Sequence, residues 1–188
     1  MELSFVNLLR QVALFAHIVL FAFAFVAIAR ADIDLLRGRT NSEQMRAVGK
    51  YVSLLLVGLW MSGMLLIALD VGFDFSAIAA KPKLATKLTV VCLLTVNSVL
   101  LHSFAFPQLI NGKRLTPSVT ALCAVLGGVS SASWLFASFV GTARIIAPAM
   151  TYGRFMTLYI VLLVAAVVCA LMAVQRARLG VATELLPS

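Results

Sequence analysis

The sequence predicts an all-α polytopic membrane protein: a bundle of five transmembrane helices, amino terminus outside, carboxyl terminus in the cytoplasm. Three observations carry that expectation. Of 188 residues, 62% are hydrophobic and only 12% charged, whereas a soluble domain carries about 25% charged residues. The apolar residues gather into five blocks, Val12–Ala29, Tyr51–Leu69, Leu88–Phe106, Val119–Gly141 and Phe155–Val174. Each approaches the ~20 residues that cross ~30 Å of hydrocarbon at 1.5 Å per residue. Cations punctuate the block ends: six (Arg10, Lys81, Lys83, Lys87, Arg144, Arg154) on one side, and nine (Arg30, Arg37, Arg39, Arg46, Lys50, Lys113, Arg114, Arg176, Arg178) on the other. The positive-inside rule places the richer side in the cytoplasm.

The five helices are expected at about 8–30, 42–69, 83–106, 117–142 and 152–175, in one integral membrane domain over 1–188. The first block ends at Ala27-Ile28-Ala29, which resembles a signal cleavage site. Its apolar run is too long for a signal core, however, and Glu2 with Arg10 gives no positive leader, so an anchored helix is expected. Thr40 followed by Glu43 reads as a capping box that starts the second helix near Asn41, in the cytoplasm. Pro82 suits the first turn of the third helix, and Pro107 ends it. Asn111-Gly112 supplies a turn, Thr116-Pro117 caps the fourth helix, and Pro148 marks the loop before the fifth. The net charge of +8 is spread over helix ends, so it does not point to nucleic acid.

The chain has two histidines, His17 and His102, both inside apolar blocks. An imidazole in hydrocarbon is expensive unless it faces the bundle interior with a partner. On the third helix, Lys87, Val91, Thr95, Ser98 and His102 fall within about 80° of one another. Such a polar stripe must face protein or water. It either glues helices together or lines a cofactor pocket or proton path from Lys87 to His102. His17 lies among small residues, Ala13, Ala24 and Ala27, which either permit close packing or leave room for a planar ligand.

The two histidines are offset along the axis by about 10 Å at the rise of an α-helix. That excludes one small metal ion with bonds of ~2 Å but leaves open a haem tilted across the bundle. Met61 and Trp60 lie at the level of His17, with Met64 a turn away, and histidine with methionine is a known way to hold haem iron. His102 with Cys123 and Cys169 is a weaker metal constellation. Each cysteine (Cys92 is the third) otherwise reads as a buried apolar residue. On the fourth helix Cys123, Gly127, Ser131, Trp134, Ser138 and Gly141 form a small, polar face. Arg144, Lys87 and Arg154 can pair haem propionates or lipid phosphates. Neither H-E-x-x-H nor G-x-S-x-G occurs, and the blocks hold no carboxylate to couple protons or cations, which weakens a transporter reading.

The histidine in helix one and the lysine opening helix three resemble two groups of small bacterial membrane proteins. One is the haem-carrying membrane protoporphyrinogen oxidase family; the other is the copper-resistance protein D-like group. The segment Lys83–Leu109, KLATKLTVVCLLTVNSVLLHSFAFPQL, is also similar to an uncharacterised family of five-helix membrane proteins. The resemblance implies that His17 and Lys87 carry over. The oxidases' aromatic, glycine-rich continuation is replaced here by Phe21–Val26, FAFAFV.

The leading expectation is therefore a b-type haem-binding redox or electron-transfer protein of the bacterial cytoplasmic (inner) membrane. His17 and His102 are the iron-ligand candidates, with Met61 as the alternative second ligand. Lys87, Ser98 and Trp60 line the cofactor site. The expected partners are the lipid bilayer, a quinone or redox partner subunit, and a second copy in a homo-oligomer. A cofactor-free membrane subunit or assembly factor is the alternative, and a small-solute or metal transporter the second alternative.

Overall fold

A computed structural model describes residues 4–36, 42–105, 107 and 116–184. Every regular element among them is helical. Helix α1 spans Phe5–Leu36 and α2 Ser42–Val71. The short α3 covers Phe75–Ala79, α4 covers Pro82–Leu100 and continues as a π-helical turn Leu101–Ala105, α5 covers Pro117–Thr142, and α6 covers Tyr152–Glu184. Five of these helices are long and apolar enough to cross a membrane: Phe5–Asp34, Arg46–Val71, Pro82–Phe104, Pro117–Thr142 and Tyr152–Arg176. The chain is thus a multi-pass helical protein whose outer surface suits lipid, with Phe15, Phe23, Leu54, Val96 and Ile160 all turned outward.

The sequence locates the five long helices closely, and the departures lie at their ends. Helix α1 runs six residues beyond Arg30, because neither glycine nor proline interrupts the chain before Gly38. Helix α6 continues nine residues beyond Gln175, passing through Gly180, with no proline before Pro187 to stop it. The turn before Pro107 widens into a π-turn, since the proline has no N–H to close on the Ser103 carbonyl. Helix α3 was not anticipated, as five residues are too few to show a periodicity. Its signal is local: the Asp74 carboxylate accepts from the backbone N–H of Ser76 at 2.8 Å and of Ala77 at 3.4 Å. Thr116 caps α5 and Pro82 opens α4 as expected. The Thr40 capping box and the Asn111-Gly112 turn lie outside the described residues.

Helices α1 and α2 pack along each other, as do α5 and α6; α4 lies against α5 and α6. Two clusters fill the interior. One joins Ala24, Leu55, Leu56, Leu59, Leu94 and Trp134, from α1, α2, α4 and α5. The other joins Val90, Phe136, Val140, Phe155 and Tyr159, from α4, α5 and α6. Polar groups between helices are paired. Asn97 is buried and donates its amide to the Leu126 carbonyl at 3.0 Å, and the Ser133 and Tyr159 hydroxyls meet at 2.8 Å. A hydrogen bond of this kind holds membrane helices together by about 0.6 kcal/mol on average. At one end of the bundle Asp70 accepts from Arg10 at 2.6 Å and from Lys81 at 2.8 Å, tying α1, α2 and the start of α4.

Candidate functional site

The polar stripe of α4 faces α2. The Trp60 indole N–H donates to the Thr95 hydroxyl at 2.9 Å, and Ser53 Oγ lies 3.2 Å from His102 Nε2. Ser98 contributes its backbone: His102 Nδ1–H donates to the Ser98 carbonyl at 2.9 Å. The neutral His102 ring therefore has Nδ1 as donor and Nε2 as acceptor of the Ser53 hydroxyl, with both nitrogens engaged.

His17 differs. It projects from α1 toward α2, where its Nδ1 lies 2.8 Å from Ser62 Oγ. That serine is one turn from Gly58 and sends its own hydroxyl proton back to the Gly58 carbonyl at 2.8 Å, with Leu59 O at 3.2 Å. With its single proton spent there, Ser62 Oγ accepts from His17, so Nδ1 carries the ring proton. The remaining nitrogen, Nε2, keeps its lone pair. It has no hydrogen-bond partner among the described residues and is not sealed from the surroundings. Gly63 sits beside the ring, where an ideal Cβ would come within 3.5 Å of His17 Cε1. The missing side chain keeps that flank clear. Lys87 of α4 is near enough for its charge to act on His17, so the structure brings those two residues into one neighbourhood.

Other expected groupings are not brought together. Met61 is 71% exposed, while its neighbours Ser62 and Gly63 face His17, so its thioether points away from the ring. His17 and His102 rest on Ser62 and Ser53, nine residues apart on α2, or about 13 Å along the axis. Two nitrogens on opposite faces of one iron stand only about 4 Å apart, at bonds of ~2 Å each, so this arrangement does not seat both histidines on one haem. Trp60 is committed to Thr95. Among the described residues no three of His, Cys, Asp and Glu form a metal-sized group, and His102 with Cys123 and Cys169 is no exception. Cys92 and Cys169 are exposed rather than buried. Trp134 is buried against Phe21, ring centroids 5.5 Å apart, as part of the core.

Sequence reasoning missed one feature and only outlined a second. Asp32, expected in a loop, stands on the extended α1 inside a spanning segment, half-buried, and accepts from Ser131 Oγ at 2.6 Å. The expectation that no carboxylate enters the spans is thereby corrected. Its only signal was that neither glycine nor proline interrupts the chain between Arg30 and Gly38. The second feature is a pocket of about 580 Å³ at the Asp70 end of the bundle, lined by Lys81, Lys83, Lys87 and Arg144 with Pro82 and Pro148. Those cations come from the start of α4 and from the segment after α5, far apart in sequence.

Set beside family models, curated proteins and solved structures, the chain matches none of them.

Proposed function

We propose that the protein is a bacterial cytoplasmic-membrane redox protein holding one b-type haem through a single protein ligand, His17. The observation that supports this reading is the Ser62 hydrogen bond at Nδ1, which leaves Nε2 as a bare donor atom. A hydrogen bond to the far nitrogen is what orients ligating histidines and raises their basicity. Gly63 leaves the ring flank open, and Lys87 offers a cation to a propionate. When bound, the haem would supply one-electron exchange with a quinone or partner subunit. The chain's own work is to hold Nε2 unprotonated and to keep that imidazole within the bundle. In this reading the amino terminus and the cationic pocket face outward.

The test is the visible spectrum of protein purified after expression with ample haem. A Soret band is expected, lost in His17→Ala and unchanged in Met61→Ala and His102→Ala. A colourless, folded wild-type protein would defeat the proposal. That result would favour a cofactor-free subunit or assembly factor, a reading supported by the commitment of Trp60, Thr95, Asn97, Ser133 and Tyr159 to bonds between helices.

A further inference from the structure

The pocket at the Asp70 end is an unusual concentration of one sign of charge. Lys81, Lys83, Lys87 and Arg144 line it together with Ala80, Pro82, Leu84, Ala147 and Pro148, and no carboxylate lines it. Asp70, at the same end of the bundle, is held by Lys81 and Arg10. Lys83 donates only to backbone carbonyls, of Ala143 at 3.2 Å and Gly141 at 3.5 Å, which fixes its ammonium at the pocket wall. Lys83, Lys87 and Arg144 have no carboxylate partner among the described residues. Their charges act on one another, Arg144 on Lys83 and Lys83 on Lys87. Like charges held this close are tolerated where an anion sits between them.

We infer that this pocket binds a phosphate group, and that its source is an anionic phospholipid headgroup. The cations supply charge-assisted hydrogen bonds to the phosphate oxygens. Two further facts favour a lipid over free phosphate. The pocket lies where α4 begins and α5 ends, at the limits of the spanning segments Pro82–Phe104 and Pro117–Thr142, the depth at which headgroups sit. The rest of its wall is apolar (Ala80, Pro82, Leu84, Ala147, Pro148) and suits a glycerol backbone and the first methylenes. The inference does not rest on the haem: only Lys87 is common to the two sites, and the test acts through Lys83 and Arg144 on protein without added cofactor.

The test is native mass spectrometry of the full chain, released from micelles containing phosphatidylglycerol and phosphatidylcholine of matched acyl chains. The wild type is expected to retain phosphatidylglycerol preferentially. Lys83→Gln with Arg144→Gln should reduce that preference roughly ten- to thirty-fold, at about one cation's membrane-surface attraction per residue. Lys50→Gln, at the other end of the bundle, should leave it unchanged. Asp70→Asn should raise it about fivefold by releasing Lys81 into the pocket, a change no unfolded variant would mimic. Inorganic phosphate is added in a second arm. Displacement of the lipid at millimolar phosphate, with the same dependence on Lys83 and Arg144, would assign the site to free phosphate. Equal retention of both lipids, or a preference that survives the double substitution, would overturn the inference.

Discussion

Adjacent glycines on α5 should respond to the same substitution with opposite sign. An ideal Cβ on Gly128 would lie 3.1 Å from the Ala166 carbonyl oxygen, 3.1 Å from Val167 Cα and 3.2 Å from Val167 N. All three atoms are backbone of α6, so no side chain can rotate aside and the helices themselves must separate. Overpacking of this kind costs about 1–3 kcal/mol. Replacing glycine by alanine within a helix returns about 1 kcal/mol. Gly128→Ala should therefore destabilise by up to about 2 kcal/mol. A Cβ on Gly127 meets nothing within 4 Å, so Gly127→Ala should be neutral or stabilising by up to about 1 kcal/mol. Reversible unfolding in mixed micelles, followed by far-UV circular dichroism, measures both on one scale. Two equal shifts would refute the claim that α5 and α6 touch backbone to backbone at Gly128.

Removing the serine that orients His17 is a milder lesion than removing the ring: Ser62→Ala should weaken haem binding about 10–100-fold, read by haem titration of the apoprotein, with helix content unchanged. Thr95→Val deprives the Trp60 indole of its acceptor and should cost about 0.6 kcal/mol, with a change in indole emission that a Trp60→Phe background abolishes. Asp74 predicts a pH effect. Hydrogen bonds from Ser76, side chain first and then backbone, and from Ala77 hold its carboxyl below the ordinary carboxylate value. A depressed native pKa means that the cap's contribution is present in full above the unfolded value and is lost as pH falls through the native one. The Ser76 and Ala77 amide resonances should therefore hold their capped shifts well into the acid range and then move, and in Asp74→Ala they should be displaced at every pH.

The long helices were legible because membrane spans announce themselves through uninterrupted apolar runs, and Pro82, Pro107 and Pro117 mark their limits by what proline cannot do. Facing directions were only partly legible. Helical spacing placed Thr95, Ser98 and His102 on one side of α4, and in the structure that side meets α2. Spacing says nothing about the partner, because every neighbouring helix is equally apolar and lipid competes for the same faces. Met61 illustrates the limit. Depth alone put it beside His17, but its rotation about α2 turns it outward and presents Ser62 and Gly63 instead. The cationic pocket was half legible: cations at block ends placed Lys83, Lys87 and Arg144 on one side, but Lys83 and Arg144 are 61 positions apart, and only the packing of α4 on α5 joins them in one pocket.

The contrast between the two histidines shows which structural detail separates a ligand candidate from a helix tie. In sequence they are alike, each a lone imidazole within an apolar block. In the structure each takes a serine from α2, and the difference lies in how many nitrogens remain. His102 spends Nδ1 on its own helix, at the Ser98 carbonyl, and Nε2 on Ser53, so its ring closes a polar bridge between α2 and α4. His17 spends only Nδ1, on a hydroxyl whose proton is already given to the Gly58 carbonyl. His17 thus keeps at Nε2 a lone pair that no group among the described residues takes up, and a free lone pair is what a metal centre asks of an imidazole.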